Sequence, residues 1–419
     1  MKDLRTIILA AGKGTRMKSS VPKVLHPVSG KPIIHYVLDI AQAVGSLKNY
    51  VVLGHKLKEV EEHLPKEAVV VEQKNLLGTA DAVKTVESRL GDHNGHILIM
   101  CGDTPLLNKS VIRELVRKHK KTEAACTFLT AVVHDPEGYG RIIRGEGGDA
   151  IAIREEKDAA GFEKSIAEIN VGVYCFKCKD LFQGLKEIQV NTKKKEFYLT
   201  DIIELFYDKD IKVATVETEN PEEGLGVNSR EDLAAAESIM RKRILKKIME
   251  QGVTIIDPST TYVDADVKIG QDSVIYPCSY IEKNVKIGSR CSVGPFARLR
   301  SGTKLDDDVT IGNFTEVSRT KIGSKTLVKH FGYLGDAVIG KGVNIGAGTV
   351  VANYDGVNKN ITKISDQAFI GSDSVLIAPT KVGKNAVVGA GSVVTRGTNI
   401  ADNTVVAGVP AKRISQKGL

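Results

Sequence analysis

The run Leu9-Ala10-Ala11-Gly12-Lys13-Gly14-Thr15-Arg16-Met17, followed by Pro22-Lys23, combines small side chains, two glycines and several cations. Such a turn leaves backbone N–H groups free, and Gly14 lets the main chain approach a bound group closely. Arg16 and Lys23 add fixed positive charge, which together describes a cradle for nucleotide phosphates. The spacing is not that of a Walker A loop, which needs Gly-x4-Gly-Lys-Ser/Thr. Nor is it a dinucleotide fingerprint, because Met17 stands at the third glycine position. Read alone, an ordinary glycine-rich turn explains the stretch equally well. Four other places carry the same double reading. Gln73 with Leu77-Gly78-Thr79 offers an amide, a bare backbone and a hydroxyl to a base edge, or simply a helix N-cap at Thr79. Asp103 suits a hard cation that bridges phosphates, or a turn. Tyr139-Gly140-Arg141 and Glu155 suit a sugar pocket, and Asn170 and Asn228 precede apolar or capping segments. No Ser–His or Cys–His pair stands out as a nucleophile with its base.

These residues must be positioned by the elements around them. Thr6–Leu9, Tyr50–Leu53, Ala68–Val71, Ile97–Cys101 and Val171–Phe176 read as strands. Helical patterns near Ile33–Val44, Thr79–Leu90 and Ser110–His119 alternate with them. The alternation predicts a mostly parallel sheet covered on both faces, with ligands beyond the carboxyl ends of its strands. Leu9 to Gly14 and Cys101-Gly102-Asp103 both fall at such ends.

The second half follows a different period. Branched apolar residues recur every six positions from Val263 through Ile269, Ile275, Ile281 and onward to Val317, and again from Ile364 to Val406. Neither helices nor alternating strands produce this spacing; a hexapeptide parallel β-helix does, at about three hexads per coil. Slips at Ile322 and Ile339 and the gap from Val351 to Ile364 predict loops leaving the solenoid. Between the halves, Ser229-Arg230-Glu231-Asp232 reads as a capping-box start of a connecting helix. The division is therefore 1–228, a linker helix 229–250, and 251–419.

Composition narrows the class. The 419 residues are mildly basic, with a net charge of +8, no Trp and no basic block interleaved with aromatics, which argues against nucleic acid. No segment approaches the roughly 18 apolar residues of a membrane span, and the apolar run after Arg5 is too short for a signal peptide. Six scattered cysteines make no disulfide framework. Cys175-x-x-Cys178 is one pair without a second, a weak pattern for zinc or redox chemistry. A reduced, cytoplasmic protein is expected.

The order of the first-half motifs, through Gly138-Tyr139-Gly140-Arg141-Ile142, Ile169-Asn170-Val171-Gly172 and Gly226-Val227-Asn228, resembles sugar-1-phosphate nucleotidylyltransferases. The solenoid adds His330, Tyr333-Leu334-Gly335-Asp336, Asn344-Ile345-Gly346-Ala347-Gly348-Thr349 and Asn353-Tyr354-Asp355-Gly356. The whole resembles the bacterial bifunctional N-acetylglucosamine-1-phosphate uridyltransferase/glucosamine-1-phosphate acetyltransferase family. The resemblance implies a Rossmann-like mixed-sheet α/β domain and a left-handed hexapeptide β-helix. It implies that Leu9, Ala10, Ala11, Gly12, Gln73, Gly78 and Thr79 hold the nucleotide of UTP, with Arg16 and Lys23 catalytic at its phosphates. Gly140, Glu155, Asn170 and Asn228 would bind the sugar-1-phosphate, and Asp103 with Asn228 would hold Mg²⁺. A sugar phosphate is already nucleophilic at neutral pH, so that half needs cations rather than a base.

Acetyl transfer to an amine does need a base. Of nine histidines, only His330 lies beyond residue 134. The resemblance makes it catalytic, Arg300, Tyr333 and Asn344 glucosamine-phosphate contacts, and Asn353, Lys359, Ser372 and Ala390 contacts of the acetyl-CoA site. It also implies a homotrimer. Three departures stand out. Ser318 replaces a phosphate-binding lysine, with Arg319 or Lys321 as possible substitutes. Gly408 replaces an arginine that reaches the coenzyme, with Lys412 and Arg413 nearby. Asp81 replaces a histidine, a change expected to be neutral. The alternative is a nucleotidylyltransferase whose solenoid only oligomerises or regulates.

Overall fold

The computed structural model describes residues 3–190 and 196–414, which divide into two compact units, Met1–Ile239 and Met240–Leu419. In the first, apolar runs become strands buried on both faces, as a helix-covered sheet requires. Leu4–Leu9 is central, flanked in parallel by Asn49–Leu53 and His96–Cys101, with Val69–Glu72 beyond Asn49–Leu53. On the other side the direction reverses: Glu168–Lys177 runs antiparallel to both His96–Cys101 and Cys126–Val132, and Val213–Glu217 closes that edge. The sheet is therefore mixed. Cys126–Val132, Val213–Glu217 and the hairpin of Arg141–Arg144 with Ala150–Arg154 are strands beyond those expected from the sequence.

Ile33–Ala43 and Lys109–Thr122 form as helices, each turning an apolar stripe to the sheet. The helix expected over Thr79–Leu90 is instead two short pieces, Thr79–Lys84 and Glu87–Leu90. At the break the Thr85 hydroxyl donates to the Ala82 carbonyl at 2.6 Å, a local bond that competes with helix propagation. Cys175 lies in a strand and Cys178 opens a helix. Both are buried free thiols pushed up by burial, and no metal-binding cluster of three or more His, Cys, Asp or Glu occurs among the described residues.

A helix spans Arg230–Glu250. Its start is capped reciprocally: Ser229 N donates to Asp232 Oδ2 at 2.8 Å, and Asp232 N donates to Ser229 Oγ at 3.1 Å.

The second unit winds three parallel sheets, mostly from two-residue strands, the first through Val274–Ile275, the second through Tyr280–Ile281 and the third through Lys286–Ile287, around one column of inward aliphatics that includes Ile275, Val293, Ile311, Val328 and Ile345. Registers such as Ile275↔Val293↔Ile311 set a coil of 18 residues. The glycines that follow the apolar markers fit this stacking, since a Cβ on Gly270 would lie 2.6 Å from Ser289 N on the next coil. The slips at Ile322 and Ile339 do not release loops. Ile311↔Val328↔Ile345 shows coils of 17 residues, each shortened at one corner where Arg319 and Asp336 take positive φ. Two such corners stack, and Arg319 pairs with Asp336 at 2.6 and 2.8 Å. The gap before Ile364 does hold an insertion, closed by a bridge between Tyr354 and Lys359. Within it, backbone hydrogen bonds from Asn358 and Val357 hold the Asp355 carboxyl down to about 2.

Candidate active sites

A cleft of about 520 Å³ opens beyond the carboxyl ends of the central strands and is lined by Leu9 to Lys13, Lys23, Gln73, Gly78, Thr79 and Asp103. Most of the residues expected at the nucleotide thus meet in one cavity. Gly12 faces open space, so a Cβ there would project into solvent. Gly78 answers a stricter demand: at φ 105° it sits where only glycine is comfortable, and a Cβ would collide with the Phe197 carbonyl. Phe197 N donates to Leu77 O at 2.7 Å, Ala80 N donates to Phe197 O at 3.0 Å, and Leu199 N donates to Thr79 Oγ1 at 2.9 Å. Thr79 thus anchors a distant segment, which brings Glu196 and Tyr198 to the cleft wall.

Gln73 is buried, and its Nε2 donates to Gly78 O at 3.0 Å and to Asp81 Oδ2 at 2.8 Å. Both donor hydrogens are consumed by acceptors, so the group left to a ligand is the acceptor Oε1. An acceptor there suits a base that offers an imide N–H. Asp81 therefore holds the amide in one orientation, a role that the sequence does not suggest.

On the wall of the cleft, which Lys23 and Asp103 line, the Lys23 ammonium pairs with Asp103 Oδ2 and donates to Asn228 Oδ1 at 3.0 Å. Val227 N donates to Asp103 O at 2.9 Å, which holds the two loops together. Two hard oxygen donors thus converge on one cationic point, a donor set that fits a divalent cation whose remaining ligands are phosphate and water. Arg16 is exposed on the adjoining turn, Thr15–Met17.

Gly140 and Asn170 are joined, Asn170 N donating to Gly140 O at 2.8 Å. The Asn170 side chain donates to Tyr174 Oη at 2.6 Å and accepts from Gly172 N at 3.0 Å. Glu155 accepts from Thr200 Oγ1 at 2.9 Å. Beside it, burial and the charges of Glu155, Glu204 and Asp158 raise the Asp201 carboxyl to about 6.

The solenoid arranges its residues by coil. His330 follows Val328 and is exposed; its carbonyl accepts from Thr315 Oγ1 at 2.8 Å, which fixes the corner between the first and second sheets. The same corner carries Ser372 and Ala390 on later coils. Gly348 N donates to Phe331 O at 2.8 Å, Asp373 N to Ala347 O at 2.6 Å, and Gly391 N to Ser372 O at 2.7 Å. His330, Ser372 and Ala390 therefore share one edge. Arg300 pairs with Glu316 at 2.9 Å, and Glu316 is in register with Tyr333, so these three adjoin on the second sheet. Asn344 lies on the first sheet between Leu327 and Phe369.

Asn353 is buried and its amide is committed to Asp336, while Lys359 stands exposed on the inserted loop. Ser318 is fully buried, and its hydroxyl has no partner among the described residues. Arg319 is held by Asp336, and Lys321 belongs to the third sheet, so neither stands in for a lysine at Ser318. Gly408 sits at a turn, φ 97°, before the exposed antiparallel strand Lys412–Arg413.

The fold and the cleft define a nucleotidyltransferase joined to a hexapeptide-repeat transferase. In agreement, the Nucleotidyl transferase family matches residues 5–221, and the bacterial transferase hexapeptide (six repeats) matches 266–301 and 361–396. The chain is 42% identical to the bifunctional protein GlmU of Pelotomaculum thermopropionicum, covering 90% of each chain. It is also 42% identical to that of Shouchella clausii, covering 89% of each. It belongs to the family of bifunctional GlmU proteins.

Proposed function

We infer that the chain makes UDP-N-acetylglucosamine in two steps, N-acetylation of glucosamine-1-phosphate by acetyl-CoA on the solenoid and uridylyl transfer from UTP to N-acetylglucosamine-1-phosphate in the first unit. The observation that carries this reading is the convergence of Lys23, Asp103 and Asn228 at the wall of the cleft. A sugar-phosphate oxygen attacks the α-phosphorus of UTP, a new P–O bond forms, and pyrophosphate leaves with the electrons of the broken bond. Lys23 and Arg16 offset the charge that builds on the phosphates. Asp103 and Asn228 would hold Mg²⁺, which supplies further neutralisation of the two polyanions. Gln73 Oε1 accepts from the base, while Gly140, Glu155 and Asn170 position the sugar. Alignment itself contributes much of the rate.

On the solenoid, the amine nitrogen of glucosamine-1-phosphate attacks the thioester carbonyl, and His330 takes the proton the nitrogen must lose. The coenzyme departs as its thiolate, with the electrons of the broken C–S bond, and is protonated to the thiol. Arg300, Tyr333 and Asn344 are assigned to the sugar phosphate, and Ser372 and Ala390, one coil apart, to the coenzyme groove, with Asn353 and Lys359 as further contacts. The edge that carries His330 is open on its outer side, which favours a homotrimer whose neighbouring subunit supplies the second wall. No helix among the described residues is long and apolar enough to cross a membrane; the nucleotide and coenzyme substrates assigned to the chain favour a cytoplasmic reaction.

Two assays on one purified preparation test the reading. Thiol release from acetyl-CoA should depend on glucosamine-1-phosphate. Pyrophosphate release from UTP should depend on N-acetylglucosamine-1-phosphate and stop when a chelator removes Mg²⁺. Pyrophosphate release without acetyl transfer would reduce the solenoid to an assembly module.

A further inference from the structure

The third sheet of the solenoid carries a chemistry that neither reaction uses. Its outward positions stack six lysines, Lys268, Lys286, Lys304, Lys321, Lys363 and Lys381, in direct parallel register, interrupted by Val338 and ended by Asn399. All six are exposed. Coils repeat at about 4.8 Å, so the row runs straight for about 29 Å.

Stability does not explain the row. Like charges directly opposite one another on neighbouring strands are destabilising. The burial that holds this sheet comes from its other side, through Ile269, Ile287, Leu305 and Ile322. Solubility does not explain it either, because mixed signs serve solubility and the rest of the solenoid uses them. Arg298 pairs with Glu282 at 2.8 Å, Arg300 with Glu316 at 2.9 Å, and Arg290 with Asp308 at 2.7 Å. None of the six lysines makes an ion pair among the described residues.

We infer that this row is a docking face for a linear polyanion of the polyphosphate type, lying along the solenoid axis. Two features select that partner, and a third accommodates it. The charge on the face is a single file of one sign, whereas the corners on either side mix lysines such as Lys325, Lys341 and Lys384 with exposed acids, among them Asp266, Asp272, Asp307 and Asp366. A flat anionic bilayer would be pressed against those acids, whereas a chain lying along the row would avoid them. The outward positions of the face hold no aromatic on which bases would stack, which disfavours single-stranded nucleic acid. Beside the lysines runs a lane of small residues. Two positions along from each lysine or Val338, five of seven residues are glycine, imposed by coil stacking, with Asp306 the one acid. The inference stands apart from the acetyl-transfer assignment, since the His330 corner joins the other two sheets.

The test is an anisotropy titration of labelled long-chain inorganic polyphosphate with the full chain across a salt series. It compares the parent with Lys286→Gln/Lys304→Gln/Lys363→Gln and with Lys325→Gln/Lys341→Gln/Lys384→Gln. The second variant loses the same charge from the corners. In the row variant, affinity at low salt should fall at least about tenfold, and the plot of log affinity against log salt should flatten by roughly 2, about 0.7 per lost contact. The corner variant should bind nearly as the parent does. Melting temperature should hold or rise in the row variant, because a like-charge ladder is relaxed. Equal losses in both variants, or no saturable binding by the parent, would overturn the inference. So would tighter binding to oligothymidylate or to vesicles of equal parts phosphatidylcholine and phosphatidylglycerol.

Discussion

Lys23, Asp103 and Asn228 meet at one ammonium although 80 and 205 residues separate the partners from Lys23, whereas His330, Ser372 and Ala390 share an edge because they fall at the same corner of their coils, with Ala347 on the coil between His330 and Ser372. The mixed sheet gathers its site by crossovers, which return distant loops to the same strand ends and fold a cleft around them. The solenoid lays residues out in rows, one coil apart, and leaves the outer side of each row open. A sheet with crossovers can therefore enclose a small molecule within one chain, while a solenoid offers long edges and faces, each with its own chemistry. In the second unit, one corner carries the histidine and another face carries the lysines.

The largest expected effect that tests this contrast is at the gathered site. Asp103→Ala removes one of two oxygens that converge on the cation, and pyrophosphate release should fall by about 10²–10³ in kcat/KM. Acetyl transfer by the same preparation should be unchanged; a parallel loss would mean that the two units do not act separately. A smaller effect is expected from Asp81→Ala, which frees the Gln73 amide to turn its donors toward the base. The preference for UTP over CTP should drop by about tenfold, roughly the worth of one hydrogen bond. Competition between the two nucleotides measures it, and an unchanged ratio would show that Asp81 does not orient the amide.

The smallest effect concerns pH. Burial, then the charges of Glu155, Glu204 and Asp158, raise Asp201 to about 6 in the folded chain, against an unfolded value near 4. Its contribution is therefore present below about pH 4 and lost as pH rises through about 6. Asp201→Asn escapes that loss, so its melting temperature should gain on the parent between those limits and then hold a constant lead. In the solenoid the sign is opposite. The hydrogen-bonded guanidinium of Arg319 holds Asp336 below the usual carboxylate range. Its contribution is present above the unfolded value near 4 and lost as pH falls through the lowered one. Thermal melts of Asp336→Asn should therefore fall below the parent at neutral pH and converge with it in acid. Melts without these opposite trends would remove the electrostatic part of the contrast.

The solenoid was the more legible unit, because a period of six survives as a visible column of branched residues and the coil adds no long-range information. Its slips mislead for a physical reason: a missing residue looks like a break, yet a β-helix corner absorbs it through Arg319 and Asp336 at positive φ. The lysine row was written at the same period but becomes a row only once three strands make a coil. In the first unit, strands and glycine turns were legible from local pattern. The roles of Asp81, Glu196 and Tyr198 were not, because Phe197 reaches Gly78 through backbone contacts that leave no period. The direction of Glu168–Lys177 was equally hidden, since an apolar run buried on both faces reads the same in either sense.

The central claim is that one chain carries two separable transferases, and His330→Ala tests it most directly when both activities are followed in the same preparation. Thiol release from acetyl-CoA with glucosamine-1-phosphate should fall by about 10²–10⁴, the usual weight of a general base. Pyrophosphate release from UTP and N-acetylglucosamine-1-phosphate should stay at the parent rate. Undiminished acetyl transfer, or a fall in both activities together, would contradict the account.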